Sequence, residues 1–138
     1  MLLDTSGLLA AIDGSQRAHG AARQVLDSSP GPFVLSPFVL AELDYLLATR
    51  VGIEAELALL GEVAAGAYEL APFAAEDVAE ARRVIQAYRD LELGLADASL
   101  VVLATRLDVR ELLTLDERHF RVLRLAGGEP FRLLPADL

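Results

Sequence analysis

The chain begins Met1-Leu2-Leu3-Asp4-Thr5-Ser6-Gly7-Leu8-Leu9, and this stretch indicates the fold. The apolar residues before Asp4 predict a short buried strand, and the residues from Ser6 to Ile12 predict a helix that follows almost at once. Asp4 therefore places a carboxylate at the end of the first buried strand. A charge is unusual at such a position and indicates a functional site there.

Further along the chain, short apolar runs alternate with longer stretches of helical periodicity, which is typical of a parallel sheet with crossover helices. The predicted strands are Met1–Asp4, Phe33–Leu35, Tyr68–Leu70, Glu111–Leu115 and Phe131–Leu134. The predicted helices are Ser6–Ile12, Gln16–Leu26, Pro37 to about Ala48, Ile53–Ala65, Glu76–Arg89 and Ala98–Leu107. The expected fold class is α/β, and residues 1–138 have the length of one domain.

Three further acids lie beside apolar segments. Glu42 lies inside the apolar helix predicted from Pro37, Asp97 directly precedes a predicted helix, and Asp116 follows the fourth predicted strand. In a parallel α/β sheet, the carboxyl ends of the strands form one edge, and ligands bind at that edge. We therefore expect the four acids to form one shared site.

Four carboxylates in one site repel one another strongly unless a cation lies between them. A site made of oxygen ligands selects a hard cation, which is magnesium, with manganese as a possible substitute. Such a cation polarises a phosphodiester, activates a water molecule and stabilises the leaving oxygen. The chemistry expected of this site is phosphodiester hydrolysis.

The same acids also have a structural interpretation. Asp4, Asp97 and Asp116 each precede a helix or a turn, where aspartate commonly caps backbone N–H groups. Glu42 lacks that explanation, because its helical neighbours three and four positions away are apolar, and it is expected to be buried. Asp44 has equally apolar neighbours but points to nearly the opposite side of the helix, so only one of these two carboxylates can face the shared edge.

The composition excludes several kinds of site and enzyme. The chain has no cysteine, which excludes disulfides, iron–sulfur clusters and thiolate zinc sites, and its two histidines, His19 and His119, argue against a histidine-rich metal site. All 12 basic residues are arginine. Haloacid-dehalogenase-like phosphatases and response-regulator receivers also place an aspartate after their first strand, but both hold the phosphoryl group with a lysine, which this chain lacks.

The formal net charge of -9 argues, by itself, against a polyanionic partner. The charge is uneven, however, because residues 106–124 contain five arginines and His119. No apolar run reaches the roughly 18 residues of a membrane span, and the first residues lack the basic start of a signal peptide. We therefore expect a cytoplasmic protein without a membrane partner.

Four segments, in this order, carry a resemblance to a known family: Leu3-Asp4-Thr5-Ser6, Ser36-Pro37-Phe38-Val39-Leu40-Ala41-Glu42-Leu43, Leu95-Ala96-Asp97-Ala98-Ser99-Leu100 and Leu113-Thr114-Leu115-Asp116-Glu117-Arg118-His119-Phe120. With this set, the chain resembles the PIN-domain ribonucleases of the VapC toxin type over essentially its whole length. The resemblance implies a PIN-like three-layer sandwich, in which helices flank a central five-stranded parallel sheet. It also implies an endoribonuclease toxin of a toxin–antitoxin pair that inhibits translation.

The resemblance also assigns roles to residues. The family's acidic metal ligands carry over onto Asp4, Glu42, Asp97 and Asp116. The expected mechanism has three aspartates binding Mg²⁺, while the glutamate completes the site and orients the attacking water. Ser6 and Thr114 occupy positions where a small hydroxyl residue often supports the site, although a helix cap or a strand-end hydroxyl explains them equally well.

Residues that contact the substrate are less clearly marked. Arg118 and His119 are candidates for holding flanking phosphates, although a solvated turn explains them equally well. Tyr45 is a candidate for stacking on a base, although its helical spacing is also that of a core residue. The family cuts structured RNA, typically transfer RNA or the sarcin–ricin loop of large-subunit ribosomal RNA. Residues 41–50 are similar to some mycobacterial-type toxins, which favours the ribosomal loop.

The partners implied by the resemblance are a second copy of the chain and a VapB-like antitoxin, in a heterotetramer or a larger complex. An acidic site favours an arginine or a lysine of the antitoxin tail as its plug. Two other functions are compatible with the fold: a non-catalytic PIN-like scaffold that binds protein or RNA, and a structure-specific DNA nuclease. Degenerate scaffolds usually lack one of the four acids, and the DNA nucleases are generally much longer.

Overall fold

Five short parallel strands form the central sheet in a computed structural model that describes residues 1–138. They are β1 (Leu2–Leu3), β2 (Val34–Leu35), β3 (Glu69–Leu70), β4 (Glu111–Leu113) and β5 (Arg132–Leu134), in the spatial order β3-β2-β1-β4-β5. Leu3 lies opposite Leu35 on one side and opposite Leu113 on the other. Because β1 is the central strand, the residue that follows it emerges in the middle of the carboxyl edge.

Seven helices connect and flank the strands. They are α1 (Thr5–Ile12), α2 (His19–Ser28), α3 (Pro37–Arg50), α4 (Ile53–Ala64), α5 (Ala75–Ala87), α6 (Leu95–Leu107) and α7 (Glu117–Phe120), with a 3-10 turn at Arg89–Leu91. The predicted fold class is confirmed: the protein is α/β with a five-stranded parallel sheet. No helix has the length and apolarity needed to cross a bilayer.

Two helices begin three residues away from their predicted starts. Helix α2 begins at His19 and not at Gln16, because the Asp13 carboxylate accepts hydrogen bonds from Ser15 and from the Gln16 side chain and holds a turn there. Helix α6 begins at Leu95 rather than at residue 98, after Gly94 in extended conformation. The second difference changes the position of Asp97, which lies in the first turn of α6 rather than ahead of it.

The core lies on both faces of β1. Leu2 and Leu3 are fully buried, as are Leu112 and Leu113 of the neighbouring strand. Burying each of these side chains contributes about 1.5 to 3 kcal/mol. Helix α6 is buried over most of its circumference, with eight of its 13 residues inaccessible to solvent. This explains its almost continuous apolar sequence, since a helix surrounded by protein needs no polar face.

Gly7 allows α1 to approach β4 closely. A Cβ atom at this position would lie 2.5 Å from the carbonyl oxygen of Leu113, a distance that a real side chain cannot occupy. Only glycine therefore permits the first turn of α1 to lie against the end of β4. This contact brings Ser6 and Thr114, which are 108 positions apart in the sequence, to within 3.3 Å.

A candidate acidic site at the carboxyl edge of the sheet

Asp4 is buried at the carboxyl end of β1, with only 5% of its surface exposed. Its backbone N–H donates to the carbonyl of Leu113 at 2.9 Å, which extends the β1–β4 ladder by one residue. Its side chain makes no capping hydrogen bond to α1. Instead, its Oδ2 accepts the hydroxyls of Ser6 at 2.9 Å and Thr114 at 2.7 Å. The capping interpretation of Asp4 is therefore wrong.

Ser6 and Thr114 connect Asp4 to the segment that carries Asp116. The backbone N–H of Leu115 donates to Ser6 Oγ at 3.0 Å, and that of Asp116 donates to Thr114 Oγ1 at 2.9 Å. Each hydroxyl has a single hydrogen, and in this arrangement both hydrogens are directed at the Asp4 carboxylate. The two hydroxyls thus fix the carboxylate of Asp4. Through their lone pairs they also fix the backbone that positions Asp116.

Glu42 lies on the exposed side of α3, so the expectation that it is buried is wrong. Its Oε1 accepts the hydroxyl of Thr5 at 2.8 Å, which ties α3 to the first residue of α1. The rival residue, Asp44, lies beside Glu56 of α4, and the interaction between these two carboxyl groups raises the pKa of Glu56. The two acids of α3 thus point to different neighbours, and Glu42 is the one beside the end of β1.

Asp116 caps α7. Its Oδ1 accepts the backbone N–H of His119 at 3.1 Å, so the capping interpretation holds for this residue. A solvated turn was one interpretation of Arg118 and His119, but Glu117–Phe120 is a short helix that contains both residues. Arg118 is exposed and makes no ion pair or hydrogen bond within the protein. The capping bond leaves Asp116 Oδ2 free to face the interior of the site.

The imidazole of His119 lies between two of the acids. Its Nδ1 is 3.0 Å from Asp116 Oδ2 and 3.3 Å from Asp97 Oδ2. Nδ1 is buried, yet the ring geometry directs no aligned N–H bond at either oxygen. The distances establish close electrostatic contacts, and the misalignment shows that they are not ordinary hydrogen bonds. Asp97, on α6, and Asp116, after β4, are thereby brought together around one side chain.

The acids share one electrostatic environment. Burial raises the pKa of Asp97 to about 6, with further increases from the charges of Asp4, Asp116 and Glu42, and His119 acts in the opposite direction. Burial also raises the pKa of Asp4, while its hydroxyl hydrogen bonds partly offset this effect. When neighbouring carboxylates disfavour the charged form of an acid, a nearby cation stabilises that charged form.

The donor atoms fit a divalent cation. One ligand atom each from Asp97, Asp116 and His119 lie within 4.8 Å of one another. Asp4 and Glu42 stand outside that compact group, although their charges act on Asp97. Carboxylate oxygens are the ligands that Mg²⁺ and Mn²⁺ prefer, and a buried, unaligned nitrogen completes the set. Of the residues predicted from the sequence, the structure thus gathers the four acids, Ser6, Thr114 and His119 at one edge.

Two contributors were missed at the level of sequence. Thr5 holds Glu42, and the buried hydroxyl of Ser99 on α6 lies 2.7 Å from that of Ser36, the N-cap of α3. Ser36 and Ser99 fix the α3 helix against the helix that carries Asp97. Thr5 and Ser99 both lie inside the segments that carry the family resemblance. The one indication for Thr5 in the sequence was its position next to an acid, Asp4.

A cavity lies elsewhere in the fold. It has a volume of about 500 Å³ and runs between α5, α6 and residues 124–126. None of the four acids lines it, and its walls combine apolar side chains, such as Val84, Val101 and Val102, with charged ones. At the carboxyl edge, Glu42 is exposed and Asp97 and Asp116 are half-buried, so part of the acidic site is accessible to solvent.

Comparison with known proteins agrees with the geometry. Residues 1–125 match the PIN domain family. The chain is 50% identical to "Ribonuclease VapC26" of Mycobacterium tuberculosis over 135 residues, which cover 98% of this chain and 100% of that protein. The crystal structure of VapC20 from the same organism, described as a sarcin–ricin loop cleaving toxin, has the same fold. It superimposes with a TM-score of 0.78 at 22% identity, over 83% of this chain and 88% of that one. The protein therefore belongs to the PIN domain family and, within it, to the VapC type.

Proposed function

We propose that the protein is a Mg²⁺-dependent endoribonuclease toxin of a toxin–antitoxin pair, which hydrolyses phosphodiester bonds in structured RNA and thereby inhibits translation. The observation that carries the proposal is that four acids lie near one another at the carboxyl edge, with the charges of three acting on Asp97, in a chain 50% identical to a protein named as a ribonuclease. The comparison supports an RNA-cleaving enzyme. The metal, the target and the effect on translation are our extension.

The three aspartates would hold the cation. Asp4 is held rigidly by two hydroxyls, and Asp97 and Asp116 face each other across His119. A bound divalent cation would polarise the scissile phosphate and lower the pKa of a water molecule. The protein's own contribution is to hold these carboxylates in place before the substrate arrives, which avoids the cost of assembling like charges during the reaction.

Glu42 is suited to a different task. It is exposed, and the Thr5 hydroxyl fixes one of its oxygens at 2.8 Å. An accessible carboxylate with one oxygen restrained can accept a proton from, and so orient, a water molecule directed at the phosphorus. The exposed Arg118, which has no partner within the protein, is available to hold a flanking phosphate. Both roles suit in-line attack by water on an RNA strand that lies across the carboxyl edge of the sheet.

Structured RNA is the proposed substrate because the chain is 50% identical to a protein named as a ribonuclease and because part of the acidic site is accessible to solvent. Transfer RNA and the sarcin–ricin loop are the two targets considered, and residues 41–50 favour the loop. The antitoxin is expected to place a basic side chain among the acids, since such a group would replace the cation electrostatically. A gene for a small protein with a basic tail beside this one would support that pairing.

The decisive experiment is cleavage of total bacterial RNA by the purified, antitoxin-free protein in Mg²⁺. Discrete new fragments are expected with the native chain, and none with EDTA, Asp4→Asn or Asp97→Asn. Mapping the fragment ends would identify the target. If the folded, metal-binding protein leaves both total RNA and intact ribosomes uncut, the proposal is wrong and a non-catalytic RNA- or protein-binding scaffold is favoured instead.

A further inference from the structure

His119 has an unusual environment for a residue that serves only as a surface cation. Its side chain is only 18% exposed, and Nδ1 is fully buried without an aligned hydrogen bond. The backbone on which it stands is fixed, because its own N–H donates to Asp116 Oδ1. The ring is therefore held with Nδ1 facing the acidic site. Its contacts with the two carboxylate oxygens are as short as hydrogen bonds, but their angles are unsuited to hydrogen bonds.

The distances fit a shared cation better than a hydrogen bond. In an octahedral site with ligands at about 2.1 Å, neighbouring ligand atoms lie about 3.0 Å apart. His119 Nδ1 lies 3.0 Å from Asp116 Oδ2 and 3.3 Å from Asp97 Oδ2. The three atoms come from α6, from the loop after β4 and from α7, so their convergence is a product of the tertiary fold. The ligand atoms of Asp97 and Asp116 also lie within 4.8 Å of each other, so one cation can contact all three side chains.

We propose that His119 Nδ1 is a direct ligand of the catalytic cation, which makes the site a mixed nitrogen–oxygen centre rather than an all-oxygen one. This inference rests on the proposed metal-dependent function and deepens it. Mn²⁺ accepts an imidazole nitrogen more readily than Mg²⁺, which keeps its water molecules and binds proteins mainly through carboxylate oxygens. The protein should therefore bind Mn²⁺ more tightly than Mg²⁺, and the preference should depend on this one side chain.

The test is a metal-binding measurement that requires no RNA. Mn²⁺ is titrated into the antitoxin-free protein, and the loss of the free-ion electron paramagnetic resonance signal gives the affinity. Pulsed measurement of the bound Mn²⁺ then detects a directly coordinated imidazole nitrogen, and ¹⁵N-labelled histidine changes its frequency. The native chain is expected to show this nitrogen. His119→Gln is expected to lose it and to bind Mn²⁺ about tenfold or more weakly, with a smaller change for Mg²⁺.

His19→Gln is the matched control, because His19 is the only other histidine in the chain and its Nδ1 lies 2.8 Å from the carbonyl of Ala10. This variant should retain both the nitrogen coupling and the affinity. Bound Mn²⁺ without nitrogen coupling in the native chain would overturn the ligand inference while leaving the metal-dependent function intact. Failure of the folded native chain to bind either metal would overturn the proposed function itself. Should His119→Gln not fold, the isotope experiment on the native chain decides alone.

Discussion

Among single residues, Asp97 is the acid whose protonation the fold changes most clearly. Burial and three neighbouring carboxylates raise its pKa to about 6 from an ordinary value of 3.8. Because the folded pKa is the higher one, the unfolded chain binds fewer protons between about pH 4 and 6. The contribution of Asp97 to stability therefore decreases as pH rises through that window. Without metal at neutral pH, the charge at this position destabilises the fold.

Asp97→Asn is expected to increase the free energy of unfolding at pH 7 in EDTA by on the order of 1 to 2 kcal/mol. The variant should also flatten the stability profile between pH 4 and 7, because the titrating group has been removed. Urea unfolding at several pH values measures both effects. Asp27→Asn, in an exposed ion pair with Arg23, is the control and should change little. An unaltered pH profile in Asp97→Asn would contradict this account.

Gly7 and Gly61 should respond oppositely to the same substitution. Gly7→Ala forces a Cβ to within 2.5 Å of the Leu113 carbonyl oxygen and is expected to destabilise the protein by about 3 kcal/mol. Gly61→Ala, in the interior of α4 with nothing nearby, should stabilise it by about 0.5 to 1 kcal/mol. Thermal or urea unfolding of the two variants tests this. Equal effects of the two substitutions on the free energy of unfolding would show that α1 can move away from β4.

Between elements, a buried pair of hydroxyls fixes α3 against α6. Ser99 Oγ donates to the carbonyl of Ala96 at 2.6 Å, so in the 2.7 Å bond between the serines Ser36 is the donor. Ser36 Oγ also accepts the N–H of Phe38 and caps α3. The Ser36 hydroxyl thus caps the N-terminus of α3 and joins α3 to α6, the helix that carries Asp97.

Ser36→Ala is expected to cost about 1 to 2 kcal/mol, because it removes the cap and the bond to Ser99. Ser99→Ala should cost about 1 to 3 kcal/mol, since it leaves the buried Ser36 hydroxyl without an acceptor. The double variant should cost less than the sum of the two, as each removes the same bond. Urea unfolding of the four chains forms the cycle. Additivity would show that the two hydroxyls act independently. Ser28→Ala, which loses exposed local bonds, should be nearly neutral.

For the molecule as a whole, the exposed large apolar side chains are distributed over several elements, and three of them lie on α4. Ile53, Leu57 and Leu60 follow the spacing of one face of α4, and the first two are 63% and 54% exposed. Tyr45 on the adjoining α3 is 67% exposed and is therefore not the core residue that its spacing also allowed. Exposed apolar side chains that share one face of a helix favour an interface, and the proposed occupant is a second copy of the chain.

The native chain is therefore expected to sediment as a dimer at micromolar concentration. Leu57→Asp should shift it to a monomer, because a charge would be buried in the interface without a partner. Val78→Asp, at an exposed apolar position on α5, should leave the dimer intact. Analytical ultracentrifugation of the three chains distinguishes the outcomes. A monomeric native chain would contradict the proposed assembly, and a dimeric Leu57→Asp variant would move the interface away from α4.

Sequence alone determined the type and order of the main elements and the fold class, because apolar periodicity, proline and glycine act over a few neighbouring residues. It also identified the four acids, since charge beside buried apolar strands and helices is a local pattern. The sequence did not predict that α2 begins at His19 and α6 at Leu95. The first start depends on the turn held by Asp13, and the second on three residues that the apolar run did not include.

Only the tertiary structure decided which side chains contact one another. Thr5 meets Glu42 across 37 positions, Ser36 meets Ser99 across 63, and Thr114 meets Asp4 across 110. The composition argued against a histidine-rich metal site and did not indicate where His119 lies, and the path from β4 into α7 directs it between Asp97 and Asp116. Such contacts depend on strand order and helix packing, which are set by burial of the whole core and are therefore not encoded in any local stretch of sequence.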